Sequence, residues 1–204
     1  MTVFNNTYFI MRHGESESNS EGIIVSDPKI GCDKYGLTKK GQYQAAISVD
    51  RHKDINFTKI FTSDFLRTYE TASIVANLSG LTPPKIATEL RERYFGRYDG
   101  LSADNYNLVW EMDASLNHEF FDCVESTNHV AKRAVSLLGK LEKEFKDEVI
   151  LLVSHGDVLQ ILRTVFINIE PNQHRSLPHH ETAEIMQLIT KGHDYSDIYN
   201  DELT

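Results

Sequence analysis

Apolar residues along this chain fall into short runs that alternate with longer stretches of helical spacing. Strand-like runs, apolar or β-branched, occur at 8–11 (YFIM), 59–63 (KIFTS), 85–88 (KIAT), 149–154 (VILLVS) and 183–189 (AEIMQLI). Between them, residues 37–53 predict a helix opened by Thr38 as N-cap. Residues 65–80 predict a helix that ends on Gly80, ahead of Pro83 and Pro84. Over 126–148, the spacing of Val130, Ala134, Leu137, Leu138, Leu141 and Phe145 is that of one buried helix face. A further helix over 157–169 follows the VILLVS run at once.

Strand, helix, strand, with near-continuous apolar strands, is the pattern of a sheet covered on both faces. The expected fold class is therefore α/β: a three-layer αβα sandwich around a mostly parallel central sheet. Residues 99–123 break the rhythm between the third strand and the long helix, and predict a small helical cap insertion. No internal repeat, linker or low-complexity tract divides the chain, so residues 1–204 are expected to form one domain. The polar, acidic stretch 192–204 is expected to fray.

Composition narrows the setting. The 204 residues are enough to bury a core without disulfides or a structural metal. No apolar run approaches the roughly 20 residues of a membrane helix, and the start MTVFNNTYF lacks the basic and apolar regions of a signal peptide. Cys32 and Cys123 form no CxxC pair, which suits a reducing compartment, so a cytoplasmic location is expected. A net charge of -9 argues against non-specific nucleic-acid binding, although fields inside a cleft are set locally.

The chemistry gathers at the carboxyl ends of three of the predicted strands, where an open α/β sheet binds its ligands. The first delivers Arg12 and His13. The second delivers Ser63 and, one turn into its helix, Arg67. The fourth delivers Ser154, His155 and Gly156 at a helix N-terminus. Two cations, two imidazoles and free helix amides on one rim describe an anion site.

RHGES at 12–16 with Asn19, TSDFLRTYETA at 62–72, LRERYFGRYDG at 90–100 and VSHGDVL at 153–159 resemble, in order and spacing, the histidine phosphatase superfamily, also called phosphoglycerate mutase-like. The resemblance implies an enzyme acting on phosphomonoesters. Its catalytic residues would be Arg12, His13, Arg67, Glu92 and His155, with Asn19 and the amides near Gly156 as further phosphate donors. His13, with an ordinary pKa of about 6.5, can attack phosphorus without prior deprotonation. An arginine about 4 Å from a unit negative charge gains on the order of 4 kcal/mol at an effective dielectric near 20, so a few such pairs can outweigh the overall charge. Glu92 would protonate the leaving alkoxide and later deprotonate water, its pKa raised by the neighbouring phosphate. No metal and no cofactor are expected, because the arginines supply the electrostatics.

Alternatives stand beside these assignments. Glu89 lies close enough to be the acid, although the motif register favours Glu92. Arg93 would limit the rise in the Glu92 pKa if it pointed the same way. His179, His180 and Glu181 are read as a solvated loop rather than metal ligands, and His174 is given no role. Ser63 and Ser154 are read as structural hydroxyls. From Tyr98 through Ala131 there is no Lys or Arg but there are seven carboxylates, and a lid of that sign would repel a doubly anionic phosphoglycerate. The expected function is thus a metal-independent phosphatase working through phosphohistidine. The alternatives are a phosphoglycerate mutase, or a non-catalytic binding protein that retains the fold. Tyr94, Phe95, Tyr106, Trp110, Phe120 and Phe121 either line a pocket or dock the cap. The partners expected are a small phosphate ester and, as an open option, a second copy of the chain in a homodimer; neither nucleic acid nor membrane is expected.

Overall fold

The computed structural model describes residues 4–115 and 122–188. The chain enters β1 (Thr7–Arg12), then passes through two short helices, α1 (Glu17–Glu21) and α2 (Pro28–Gly31), into α3 (Lys39–Arg51). β2 (Lys59–Thr62) leads to α4 (Leu66–Leu78) and the two-residue β3 (Lys85–Ile86). The cap helix α5 (Asn105–Ser115) precedes the long α6 (Thr127–Glu144), β4 (Val149–Ser154), α7 (Gly156–Ile167) and β5 (Ile185–Gln187).

Among the described residues five strands are ordered β3-β2-β4-β1-β5, and of these only β5 runs antiparallel to its neighbour. Alternation along the central strands sorts side chains to two faces, as a period of two requires. Tyr8, Ile10, Ile150 and Leu152 pack under α6 and α7, with Leu138, Leu141, Leu159 and Leu162. Phe9, Met11, Leu151 and Val153 pack under α3 and α4, with Ala45, Ala72 and Val75. Three layers follow from this two-sided apolarity.

Helix starts agree with their local chemistry. The Thr38 hydroxyl accepts from Gly41 N at 3.0 Å and opens α3 as expected, and the Ser126 hydroxyl accepts from His129 N and opens α6. The apolar stripe of α6 is buried at Val130, Ala134, Leu137, Leu138 and Leu141, and each large side chain there contributes roughly 1.5–3 kcal/mol. The predicted third strand is shorter than expected, because Ala87 leaves the ladder and Thr88–Leu90 turn as a 3₁₀ segment. The last strand covers 185–187 of the predicted 183–189: Ala183 has φ 58°, outside extended backbone, and residue 189 lies outside the described residues.

What matters for the site is the position of β4. The chain builds β1, β2 and β3 first and inserts β4 between β1 and β2. Parallel pairing puts Arg12 opposite Ser154, and His13 N donates to Ser154 O at 3.0 Å. The residues that leave these two strands are therefore neighbours, although they are 142 positions apart.

Candidate active site

His13 is buried beside the end of β1, and its orientation is fixed from one side. Its Nδ1 lies 2.7 Å from Gly14 O, an obligate acceptor, so Nδ1 carries the proton and Nε2 carries the lone pair. Arg67, from the first turn of α4, donates from Nε to that Nε2 at 3.2 Å and from Nη2 to Val25 O at 3.0 Å. Thr71, one turn further along α4, accepts from Gly14 N at 3.1 Å and donates to Arg67 O at 2.7 Å, tying the loop after β1 to the helix that carries the arginine.

His155 faces His13 edge to face, with ring centroids 5.3 Å apart. The Ser63 hydroxyl accepts from Phe65 N and lies 3.1 Å from His155 Nε2. The Nδ1 of His155, on the other side of the ring, faces Glu92 Oε2 at 3.5 Å. Phe65 packs against the ring edge at 5.0 Å. Ser63 thus positions a histidine, whereas Ser154 donates to Leu90 O at 2.7 Å and holds the strand to the loop that leads to Glu92.

Glu92 reaches the same space, with Oε2 3.5 Å from both Arg67 Nη2 and His155 Nδ1. Burial pushes its carboxyl up to about 7; Arg67 opposes the rise and Asp157 adds to it. In the ligand-free protein the elevation comes first from desolvation. Burial, reinforced by Arg67 and Arg12, holds His13 well below the ordinary imidazole range, and burial and Arg67 do the same to His155. Both rings are neutral at neutral pH. Glu89 instead pairs with Lys140 at 2.7 Å, so Glu92 is the carboxyl of the site.

The cavity bounded by these groups has a volume of about 230 Å³. Arg12, His13, Asn19, Arg67, Glu92 and Gly156 line it, and His155 packs behind. Three buried nitrogens at this rim, Arg12 Nε, Arg67 Nη1 and His155 Nδ1, have no hydrogen-bond partner among the described residues. Buried polar groups are normally satisfied, so three such nitrogens around one small cavity, two of them arginine donors, point to a polar, acceptor-bearing ligand. Asn19 stands on the exposed side of the cavity, with Oδ1 accepting from Ser16 N in the capping box of α1. A Cβ on Gly156 would lie 3.3 Å from Arg12 Nε; glycine there lets the guanidinium pack on the start of α7.

Several sequence expectations need correction. Of the loop expected to be solvated, His179 and Glu181 are exposed but His180 is buried, and His179 lies 2.8 Å from Arg12 Nη1 through Nε2, because the chain after α7 folds back over the rim. His174 is also buried, 3.5 Å from Asp157 Oδ1. Arg93 points away from the cavity and forks onto Asp113 with two contacts of 2.6 Å. Three carboxylates of the cation-free stretch are neutralised by cations outside it: Asp113 pairs with Arg93, Asp122 with Arg97, and Glu125 with Arg133. Glu119, Phe120 and Phe121 lie outside the described residues. The cap contributes Tyr106 and Trp110 to the cavity, whereas Phe95 is buried in the cap's own core with Ile24, Val109 and Val124.

Arg175, which carried no sequence signal, also lines the cavity and stacks 3.7 Å over the Trp110 ring. It comes from a 3₁₀ segment, Pro171–Ser176, whose polar composition has no periodicity to read. Asp157, one residue past the histidine motif, was likewise not singled out.

Comparison with known proteins identifies the family. The chain is 30% identical over 173 residues to a 2,3-bisphosphoglycerate-dependent phosphoglycerate mutase of Cytophaga hutchinsonii, covering 79% of this chain and 78% of that one. It is 24% identical over 166 residues to a metal-independent phosphoserine phosphatase of Arabidopsis thaliana, covering 75% of this chain and 65% of the relative. The fold is similar to that of mycobacterial glucosyl-3-phosphoglycerate phosphatase solved with VO3, with a TM-score of 0.75 at 23% identity over 89% of this chain and 90% of the other. The description of the histidine phosphatase superfamily (branch 1) matches residues 8–201, nearly the whole length, and spans every residue of the rim just described; the chain belongs to that superfamily.

Proposed function

We propose that this protein is a phosphatase that hydrolyses small phosphomonoesters through a phosphohistidine at His13, without a metal. The observation that carries this reading is the set of unpartnered buried nitrogens, Arg12 Nε, Arg67 Nη1 and His155 Nδ1, gathered around a neutral imidazole whose lone pair sits on Nε2. A phosphoryl group supplies the acceptors those nitrogens lack, and the arginines neutralise its charge.

In the first step, His13 Nε2 forms a bond to phosphorus while the bond from phosphorus to the ester oxygen breaks, and Glu92 gives its proton to the departing oxygen. Arg67 Nε, which donates to Nε2 here, transfers its hydrogen bond to the phosphoryl group as the ester binds. In the second step, water attacks phosphorus, Glu92 takes the water proton, the N–P bond breaks and inorganic phosphate leaves. A carboxyl with a pKa of about 7 is matched to both duties near neutral pH.

The wall that the cap contributes supports hydrolysis over transfer. It presents Tyr106 and Trp110 but no cation, so it offers no charged grip on a bisphosphorylated intermediate. Arg175 is the observation that favours the second reading, a mutase, since it is a third arginine at the same cavity. No helix among the described residues is long and apolar enough to cross a membrane. A cytoplasmic site of action is supported by Cys32 and Cys123 being free thiols.

The test is turnover of p-nitrophenyl phosphate in excess EDTA. Activity is expected to persist in the chelator and to vanish in His13→Ala; full activity in that variant rejects the mechanism. Interconversion of the two phosphoglycerates faster than release of inorganic phosphate would select the mutase reading.

A further inference from the structure

Asp157 opens the first turn of α7 directly after the His155–Gly156 pair and lines the cavity beside Trp110 and Arg175. Its Oδ1 accepts from Trp110 Nε1 of the cap helix at 2.9 Å, and its Oδ2 accepts from Arg93 Nη1 at 3.3 Å. Arg93 also grips Asp113, one turn along the cap helix from Trp110, and its own backbone N donates to Glu92 Oε1 at 3.0 Å. One buried carboxylate therefore joins the cap to the loop that carries the proposed acid.

We propose that Asp157 is a positioning residue: it holds the cap helix over the cavity through Trp110 and sets Glu92 through Arg93. The inference rests on the phosphatase reading for its kinetic part alone. Burial works against an ionised Asp157, but His174, Arg93 and Arg175 outweigh it, so the carboxylate stays charged. That charge acts on Glu92 in the direction that keeps it protonated. The other groups facing Glu92 are Arg12 from β1, Arg67 from α4, Tyr106 from α5, Arg133 from α6 at its backbone carbonyl, and His155. A substitution at position 157 leaves all of these chemically unchanged.

The charge and the tether separate experimentally. Asp157→Asn retains an oxygen for the indole but loses the charge. The alkaline limb of kcat/KM for an alkyl phosphate is expected to move to lower pH, with on the order of a tenfold loss on the falling side and little loss on the acid side. Trp110→Phe removes the indole N–H and keeps the charge; KM is expected to rise about tenfold, with the alkaline limb in place. Trp110 is the only tryptophan, so its fluorescence reports on the cap directly. Acrylamide quenching is expected to increase in Asp157→Ala and to stay near wild type in Asp157→Asn.

An unmoved alkaline limb in Asp157→Asn, or unchanged quenching in Asp157→Ala, overturns the proposal. If Asp157→Ala does not fold, the limb position in Asp157→Asn decides. If the wild-type protein turns over no phosphate ester, the phosphatase reading fails, and the quenching comparison still decides the tether.

Discussion

Glu92 illustrates how much of the chemistry rests on the surroundings of one side chain. The same carboxyl in water would be ionised at pH 7 and unable to donate. Removed from solvent between Arg67 and His155, it titrates near 7. With a poor leaving group such as an alkyl phosphate, kcat/KM is expected to rise as His13 loses its proton below 6.5 and to fall as Glu92 loses its own above about 7. Glu92→Gln is expected to abolish the alkaline limb and to lower kcat/KM by about 10²–10⁴ for that substrate. With p-nitrophenyl phosphate, whose leaving group needs no proton, the loss should be about tenfold or less. Equal losses for the two esters would remove Glu92 from the acid role.

Between elements, the decisive contact is the seat of α3 on the loop after β1. A Cβ added to Gly41, in the first turn of α3, would sit 2.0 Å from Glu15 O, and one added to Gly14 would sit 2.4 Å from Gly41 O. Thr38 N donates to Glu15 O at 3.0 Å, so the two backbones are in direct contact. This is a close approach of main chain to main chain that a side chain would pry apart. Gly41→Ala is expected to destabilise the protein by about 1–3 kcal/mol in a urea melt and to lower kcat as the loop carrying His13 shifts. For Gly36→Ala the nearest atoms are those of the Glu70 carboxylate, 2.8 Å away at the end of a flexible side chain rather than in a backbone, and the change should cost less. The comparison of the two variants checks that backbone contact, not helix propensity, sets the cost.

The burial of so many ionisable groups leaves a signature in global stability. Between about pH 4.5 and 6.5 the unfolded chain protonates His13, His155 and His180, which the folded state holds neutral, His180 having been lowered to about 4. In the same interval folded Glu92 keeps a proton that the unfolded chain releases. Three imidazoles against one carboxyl mean that the unfolded state binds more protons, so stability rises with pH across this window. Each net proton contributes at most about 1.4 kcal/mol per pH unit. The urea midpoint is expected to be lower at pH 5 than at pH 7, and the gap is expected to narrow in His13→Gln; a gap that does not narrow would show that His13 is not the buried neutral imidazole described here.

The sandwich and most of the rim were legible because their signals are local. A buried parallel strand must be apolar on both faces, and the residue that follows it must leave the sheet at the edge where ligands bind. Arg12, His13, Ser154 and His155 therefore announce themselves by following YFIM and VILLV. The order of the strands, and with it the contact of His13 with His155, came from folding, since no local pattern states that β4 slots between β1 and β2. The partners of charged side chains were equally hidden. A run of carboxylates reads as a negative lid until tertiary contacts give Asp113 to Arg93 and Glu125 to Arg133. Arg175 and Asp157 belong to the same class: a polar side chain has no period, and only the three-dimensional path of the chain determines which charge it meets and how much water is left between them.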